Sequence, residues 1–165
     1  MPFDPKTYVL VHVVLSMVGV FAGLIVVGGL MAGVCFRRWV DVFLTTTFLV
    51  TVTGFGFPFA RLLPSHIVGA ISLPVLFGAA SAVYWKRLEG AWRQTFVVLS
   101  VFALHLNVFV LVAQLFQKIP AMAMLAPSPA APAFAATQTL ALILFVVLGW
   151  ASVEGFKKGR APGFL

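Results

Sequence analysis

The chain has 165 residues, 62% of them hydrophobic and only 9% charged, with a formal net charge of +7. Soluble domains carry about 25% charged residues, so this chain cannot cover a water-facing surface, and composition excludes a soluble enzyme. The surplus of cations would point to nucleic acid in a soluble domain. Here it falls between apolar runs, where membrane topology accounts for it and no nucleic-acid partner is implied.

The first apolar stretch covers residues 8–34. A spanning helix needs about 20 residues at 1.5 Å rise to cross a hydrocarbon core of about 30 Å, so this run must tilt or protrude. Asp4 beside Lys6, and the length of the run, argue against a cleavable leader. Ser16, Gly19 and Gly23 form a ridge of small residues, with the two glycines in a GxxxG relation, and Gly29 and Gly33 form a second such pair. Ridges of this kind let membrane helices meet closely, and packing within the chain is favoured over pairing of two copies. Cys35, the single cysteine, cannot form an intrachain disulfide and reads as a reduced thiol beside Arg37 and Arg38.

The second stretch covers 40–59 and the third 66–85. Between them runs "TVTGFGFPFARLLPSHIVG", with Arg61 and Pro64 in a short turn and Ser65 as the expected N-cap of the third span. Gly54 and Gly56, separated by an aromatic and followed by Pro58, loosen a helix end and let something approach the backbone. A neighbouring helix would do, and so would a flat ring. His12 and His66 fall at similar depth to these glycines, and neutral imidazole is the form that ligates haem iron. His12, His66, Gly54 and Gly56 are therefore candidates for a haem b or quinone site. No protein-held metal cluster and no catalytic residue is expected.

The fourth stretch covers 95–116. Ser100, Asn107 and Gln114 recur every seven residues and so share a face. A polar side chain at this depth is costly without a partner, and Thr46 and Thr53, also seven apart, are the expected partners. The stripe is either interhelical glue or the lining of a polar path. His105 lies on another face and is expected to bond a carbonyl or a neighbour of Asn107. "KIPAMAMLAPSPAAPAFAATQ" follows, and its four prolines predict an extended interfacial loop. The fifth stretch covers 134–153.

Charge then orients the chain. Arg37, Arg38, Lys86, Arg87, Arg93, Lys157, Lys158 and Arg160 fall on one side, and Lys6, Arg61 and Lys118 on the other. Basic residues stay in the cytoplasm. This predicts five spans with the N-terminus out and the C-terminus in. Trp39, Trp85, Trp92 and Trp150 fall near the inner interface, as an aromatic belt would. The sequence holds no CxxC, HExxH, P-loop or GxSxG motif, and its four acidic residues all lie near predicted helix ends, which speaks against a carboxylate-driven transporter.

The stretches "TGFGFPFARLLPSHIVGAISL" and "LNVFVLVAQLFQKIPAMAMLAP" resemble a family of small proteobacterial inner-membrane proteins, over about residues 11–147. In size and span number the chain is also loosely similar to DoxX-like proteins, small four-helix bundles linked to quinone chemistry; the fifth span and the Pro-rich loop depart from that pattern. The resemblance implies a bacterial inner-membrane location and carries over no site residues. The expectation is an all-α, polytopic transmembrane bundle forming one unit over 1–165. It acts as a non-catalytic subunit or scaffold, with lipid, other membrane subunits or its own copies as partners. The alternatives are a redox module holding haem b or quinone, and a small-solute channel or carrier.

Overall fold

A computed structural model describes residues 4–57, 64–126, 128 and 130–158. All regular structure among them is helical: α1 (Pro5–Met31), α2 (Arg37–Gly54), α3 (Pro64–Ala80), α4 (Ala91–Lys118), α5 (Pro120–Leu125) and α6 (Pro132–Lys158). A wide helical turn, Ser81–Trp85, extends α3. Arg61, Pro58 and Arg160, named above, lie outside the described residues.

Local chemistry explains the boundaries. Pro5 opens α1, where its fixed φ suits the first helical position and no N–H is missed, and the Asp4 carboxylate accepts the Lys6 N–H at 3.1 Å. The helix stops at Met31, earlier than the predicted 34. Gly33, at φ +75°, supplies the left-handed residue of the cap. The Val34 N–H donates to Gly29 O at 2.8 Å and the Gly33 N–H to Leu30 O at 3.1 Å, the paired bonds of a Schellman motif. Gly33 therefore ends the helix and does not extend a packing ridge. Gly29 does pack closely, against the Phe36 ring. The second helix likewise ends at Gly54, short of 59.

The Pro-rich connection also differs from the expected extended loop. Pro120 forces Ile119 out of the helical region (φ −93°, ψ 116°), which ends α4, and then opens α5 itself. Pro132 opens α6. Pro120 and Pro132 thus sit at first helical turns, where a missing N–H costs nothing; Pro127 and Pro129 lie outside the described residues.

α1 and α4 form the centre. α1 packs on α2, α4 and α6, and α4 packs on α3, α1 and α6. A Cβ at Gly19 would meet the Thr46 and Thr47 hydroxyls, and one at Gly23 would collide with Phe43 and Leu104. The first glycine ridge thus faces α2 and α4 inside the chain. The core around it contains Ala22, Val26, Leu30, Val40, Phe43, Val83, Phe96, Val97 and Leu104.

Among the described residues, four helical stretches are long and apolar enough to cross a membrane: Pro5–Met31, His66–Trp85, Ala91–Lys118 and Pro132–Lys158. α2 differs. Its 18 residues include Arg37, Arg38, Asp41 and five threonines. Three of those hydroxyls bond back to their own helix, Thr46 to Val42 O, Thr51 to Thr47 O and Thr53 to Leu49 O, at 2.7 to 2.8 Å. Cross-helix contacts put Arg37 beside Tyr84 and Arg93 beside Phe156, so the cations of three connections gather at one end of the bundle, opposite Lys6 and Lys118.

Candidate functional site

The sequence GFGF after Thr53 resolves into two aromatic plugs and the gaps that seat their neighbours. Phe57 turns towards α1 and packs edge-on to Tyr8 and His12, with ring centroids 5.2 and 5.1 Å away. Phe55 turns towards α3, where its ring stacks on His66 at 6.2 Å and fills the space a side chain at Gly69 would need. The gap at Gly56 is taken by the Tyr8 hydroxyl, which donates to Thr53 O at 2.5 Å. Gly54 faces the edge of the His12 ring, where an added Cβ would make an ordinary 3.8 Å contact.

His12 Nδ1 lies 2.9 Å from Thr53 Oγ1. That hydroxyl spends its own proton on Leu49 O at 2.7 Å, so it accepts from the histidine. With the hydroxyl proton donated to Leu49 O, this contact favours the Nδ1–H tautomer, which leaves Nε2 as the acceptor. The two histidines proposed as a haem pair each pack against a different phenylalanine. A macrocycle clasped between them would have to displace both rings, so this arrangement does not fit bis-histidine haem. Among the described residues no three His, Cys, Asp or Glu side chains gather as a metal site. His66 is buried, at 4% exposure.

The heptad stripe of α4 divides into three environments. Ser100 is fully buried, Asn107 is half-buried, and Gln114 is exposed. A true α-helix drifts about 20° per heptad, so equal spacing does not keep one environment. The Asn107 amide donates to Thr47 Oγ1 at 3.0 Å. Its partner is Thr47 and neither Thr46 nor Thr53, because Thr47 is the threonine that α2 turns into the core, at 1% exposure.

A different polar set lies along α4 and α6. Among the described residues, Ser100 Oγ, His105 Nδ1, Gln138 Oε1 and Ser152 Oγ are buried without a hydrogen-bond partner. His105 sits between Phe102 and Phe145, its ring centroid 5.1 Å from the latter, and bonds no carbonyl through Nδ1. Gln138 does use its amide, donating to Phe109 O at 3.0 Å.

At the cationic end, Asp41 Oδ1 accepts from Tyr84 Oη at 2.6 Å and from Arg37 Nε at 3.1 Å, and the Arg37 guanidinium lies 4.5 Å over the Tyr84 ring. Arg37 and Asp41 are an i,i+4 pair legible in sequence. Tyr84, 43 residues on, is not. Beside this triad a lateral cleft opens between α2 and α3. Cys35, in the turn before α2, is 2% exposed, and burial pushes its thiol up to about 11 against the opposing pull of Arg37. Sequence reading also missed Gly155, whose missing Cβ lets α6 lie against the Met31 carbonyl. The signal was available in the small residues Gly149, Ser152 and Gly155, three apart.

No protein-family model, curated protein or solved structure matches this chain.

Proposed function

We propose that the chain is a small structural subunit of a bacterial inner membrane, crossing it five times with the N-terminus out and the C-terminus in. The observation that carries the reading is how polar groups at membrane depth are used. Asn107 to Thr47, His12 to Thr53 and Tyr8 to the Thr53 carbonyl are bonds between helices, which fasten the bundle. α2 counts as the fifth span because its threonine hydroxyls are satisfied by its own carbonyls. It also runs beside α1 from Phe43 at Gly23 to Thr53 at His12. The gathered cations favour a cytoplasmic face at that end, and the apolar outer face of α6 (Leu140, Ile143, Val146, Trp150) is available to lipid or another subunit. The test is a native gel of mildly solubilised membranes, with alkaline phosphatase and fluorescent-protein fusions at the C-terminus. A species well above the mass of one chain, with a bright fluorophore, is the expected result. Migration as a lone monomer, or protein-dependent solute flux in liposomes, would overturn the scaffold role, and phosphatase activity would overturn the topology.

A second reading, a quinone site at the other end, is favoured by the His12 hydrogen bond. An Nε2 lone pair fixed by Thr53 is an acceptor for a ring hydroxyl such as that of a quinol. Quinone co-extracted with wild type and lost in His12→Ala, but kept in His105→Ala, supports it. Protein free of quinone removes it.

A further inference from the structure

The cleft between α2 and α3 has a volume of ≈ 610 Å³ and walls of Leu44, Phe48, Leu73, Leu76 and Phe77. Two irregularities of the α3 side shape it. Pro74, inside the helix, lacks the N–H that α-helical geometry uses. The chain then widens at Ser81–Trp85, where the Lys86 N–H reaches back five residues to Ser81 O. From Leu73 to Tyr84 the wall is about 16 Å long at 1.5 Å per residue. That is roughly half of the ~30 Å hydrocarbon core, the depth of one leaflet.

One end of this slot is polar. Tyr84 lines the mouth and is tied to Asp41. Arg37 bonds the same carboxylate, which offsets its charge. Arg38 shares the α2 face of Asp41, Thr45 and Phe48, at spacings of three, seven and ten residues. Lys86 follows Tyr84 by two residues, its ammonium 5.6 Å over the Trp92 ring of α4, and both Arg38 and Lys86 are exposed. A net positive rim thus stands over an apolar slot one leaflet deep.

We propose that the slot holds an anionic phospholipid of the leaflet at the Arg37 end. One acyl chain lies between α2 and α3, and the phosphate meets Arg38 and Lys86. A partner helix would use the full thickness of the membrane, whereas the slot covers half of it. A zwitterionic headgroup would leave the rim charge uncompensated. The inference rests on the chain being embedded in a membrane, and is independent of which end faces the cytoplasm.

Native mass spectrometry of the delipidated full chain, titrated with phosphatidylglycerol or phosphatidylcholine, tests it. One phosphatidylglycerol should be retained under activation that strips phosphatidylcholine. Arg38→Gln and Lys86→Gln should each weaken retention by about fivefold, the usual weight of one cation near an anionic headgroup. Ala80→Trp should fill the slot and lower occupancy with the rim unchanged. Arg38 is exposed, so Arg38→Gln decides the matter if Ala80→Trp misfolds. Equal retention of both lipids, wild-type affinity in the rim variants, or full competition by glycerol phosphate without chains would overturn the proposal. A chain recovered from the soluble fraction would defeat the membrane reading itself, a result distinct from a membrane-bound chain that retains both lipids alike.

Discussion

The α1/α2 seam and the α4/α6 seam use polar side chains to different extents. Along the first, Tyr8, His12 and Thr53 form a connected set, and Asn107 reaches across from α4 to complete Thr47. Along the second, Gln138 donates to Phe109 O, but among the described residues His105 Nδ1, Gln138 Oε1 and Ser152 Oγ are buried without a partner. A bond between helices in lipid is worth about 0.6 kcal/mol on average and up to about 1.7, while a buried polar atom without a partner costs about 1–3 kcal/mol. The comparison teaches that a polar residue in a membrane helix is not by itself an adhesive. The first seam is fastened by its polar groups, and the second, apart from the Gln138 bond, holds through close packing despite them.

The largest effect should come from breaking the close packing around α1. Gly155→Val drives a side chain into the Met31 carbonyl, which is backbone and cannot swing aside. We expect α6 to separate from α1 at a loss of about 3 kcal/mol or more, read by thermal unfolding in detergent. Gly23→Leu, against Phe43 and Leu104, should cost about 1–3 kcal/mol, since flexible side chains can yield in part. Gly28→Ala is the control. Nothing lies within 4 Å of the added carbon, and Ala suits a helix better, so its melting point should stay level or rise. If Gly155→Val melts like wild type, α6 is not seated on α1 as described.

Exchanging polar for apolar side chains on the two seams gives the next effect. Asn107→Leu should destabilise by about 0.6–1.7 kcal/mol through loss of the Thr47 bond. Ser152→Ala removes an unpartnered hydroxyl and should be neutral or stabilising by up to about 1 kcal/mol. Opposite signs at the two positions are the signature. A clear loss in Ser152→Ala would show that the Ser152 hydroxyl is hydrogen-bonded after all.

The smallest effect at neutral pH concerns Cys35, at the cationic end of the α1/α2 seam. Its folded thiol titrates at about 11, above the ordinary 9.0, because burial outweighs Arg37. A raised folded value means that the protonated thiol stabilises the fold fully below pH 9. That contribution fades as pH rises from about 9 through 11. Maleimide should label the native protein slowly at pH 7.5 and the denatured protein at once. Rapid native labelling would place Cys35 at the surface.

Sequence by itself determined the helical class, the approximate position of each apolar helix and the gathering of cations between them. These follow from composition and run length, since a chain with so few charges has only lipid or its own interior to bury itself in. It also exposed the Gly19/Gly23 ridge, because small residues four apart need only helical periodicity to meet. What it could not determine were contacts between distant segments. Helical period brings Thr46, Thr47 and Thr53 near the same seam, but only the rotation of α2 against α1 chose Thr47 for Asn107. GFGF reads as looseness along the chain, and becomes a seat for Tyr8 only when residue 8 is brought to it. Pro120 stops one helix and starts the next by the same steric rule, and Pro132 starts another, which the run of prolines alone did not distinguish from an extended loop. Local rules carry their reach along four or five residues. The Tyr84 bond to Asp41, the Gly155 contact with Met31 and the slot between α2 and α3 join residues much farther apart in the chain. They exist only because packing in three dimensions set the helices side by side.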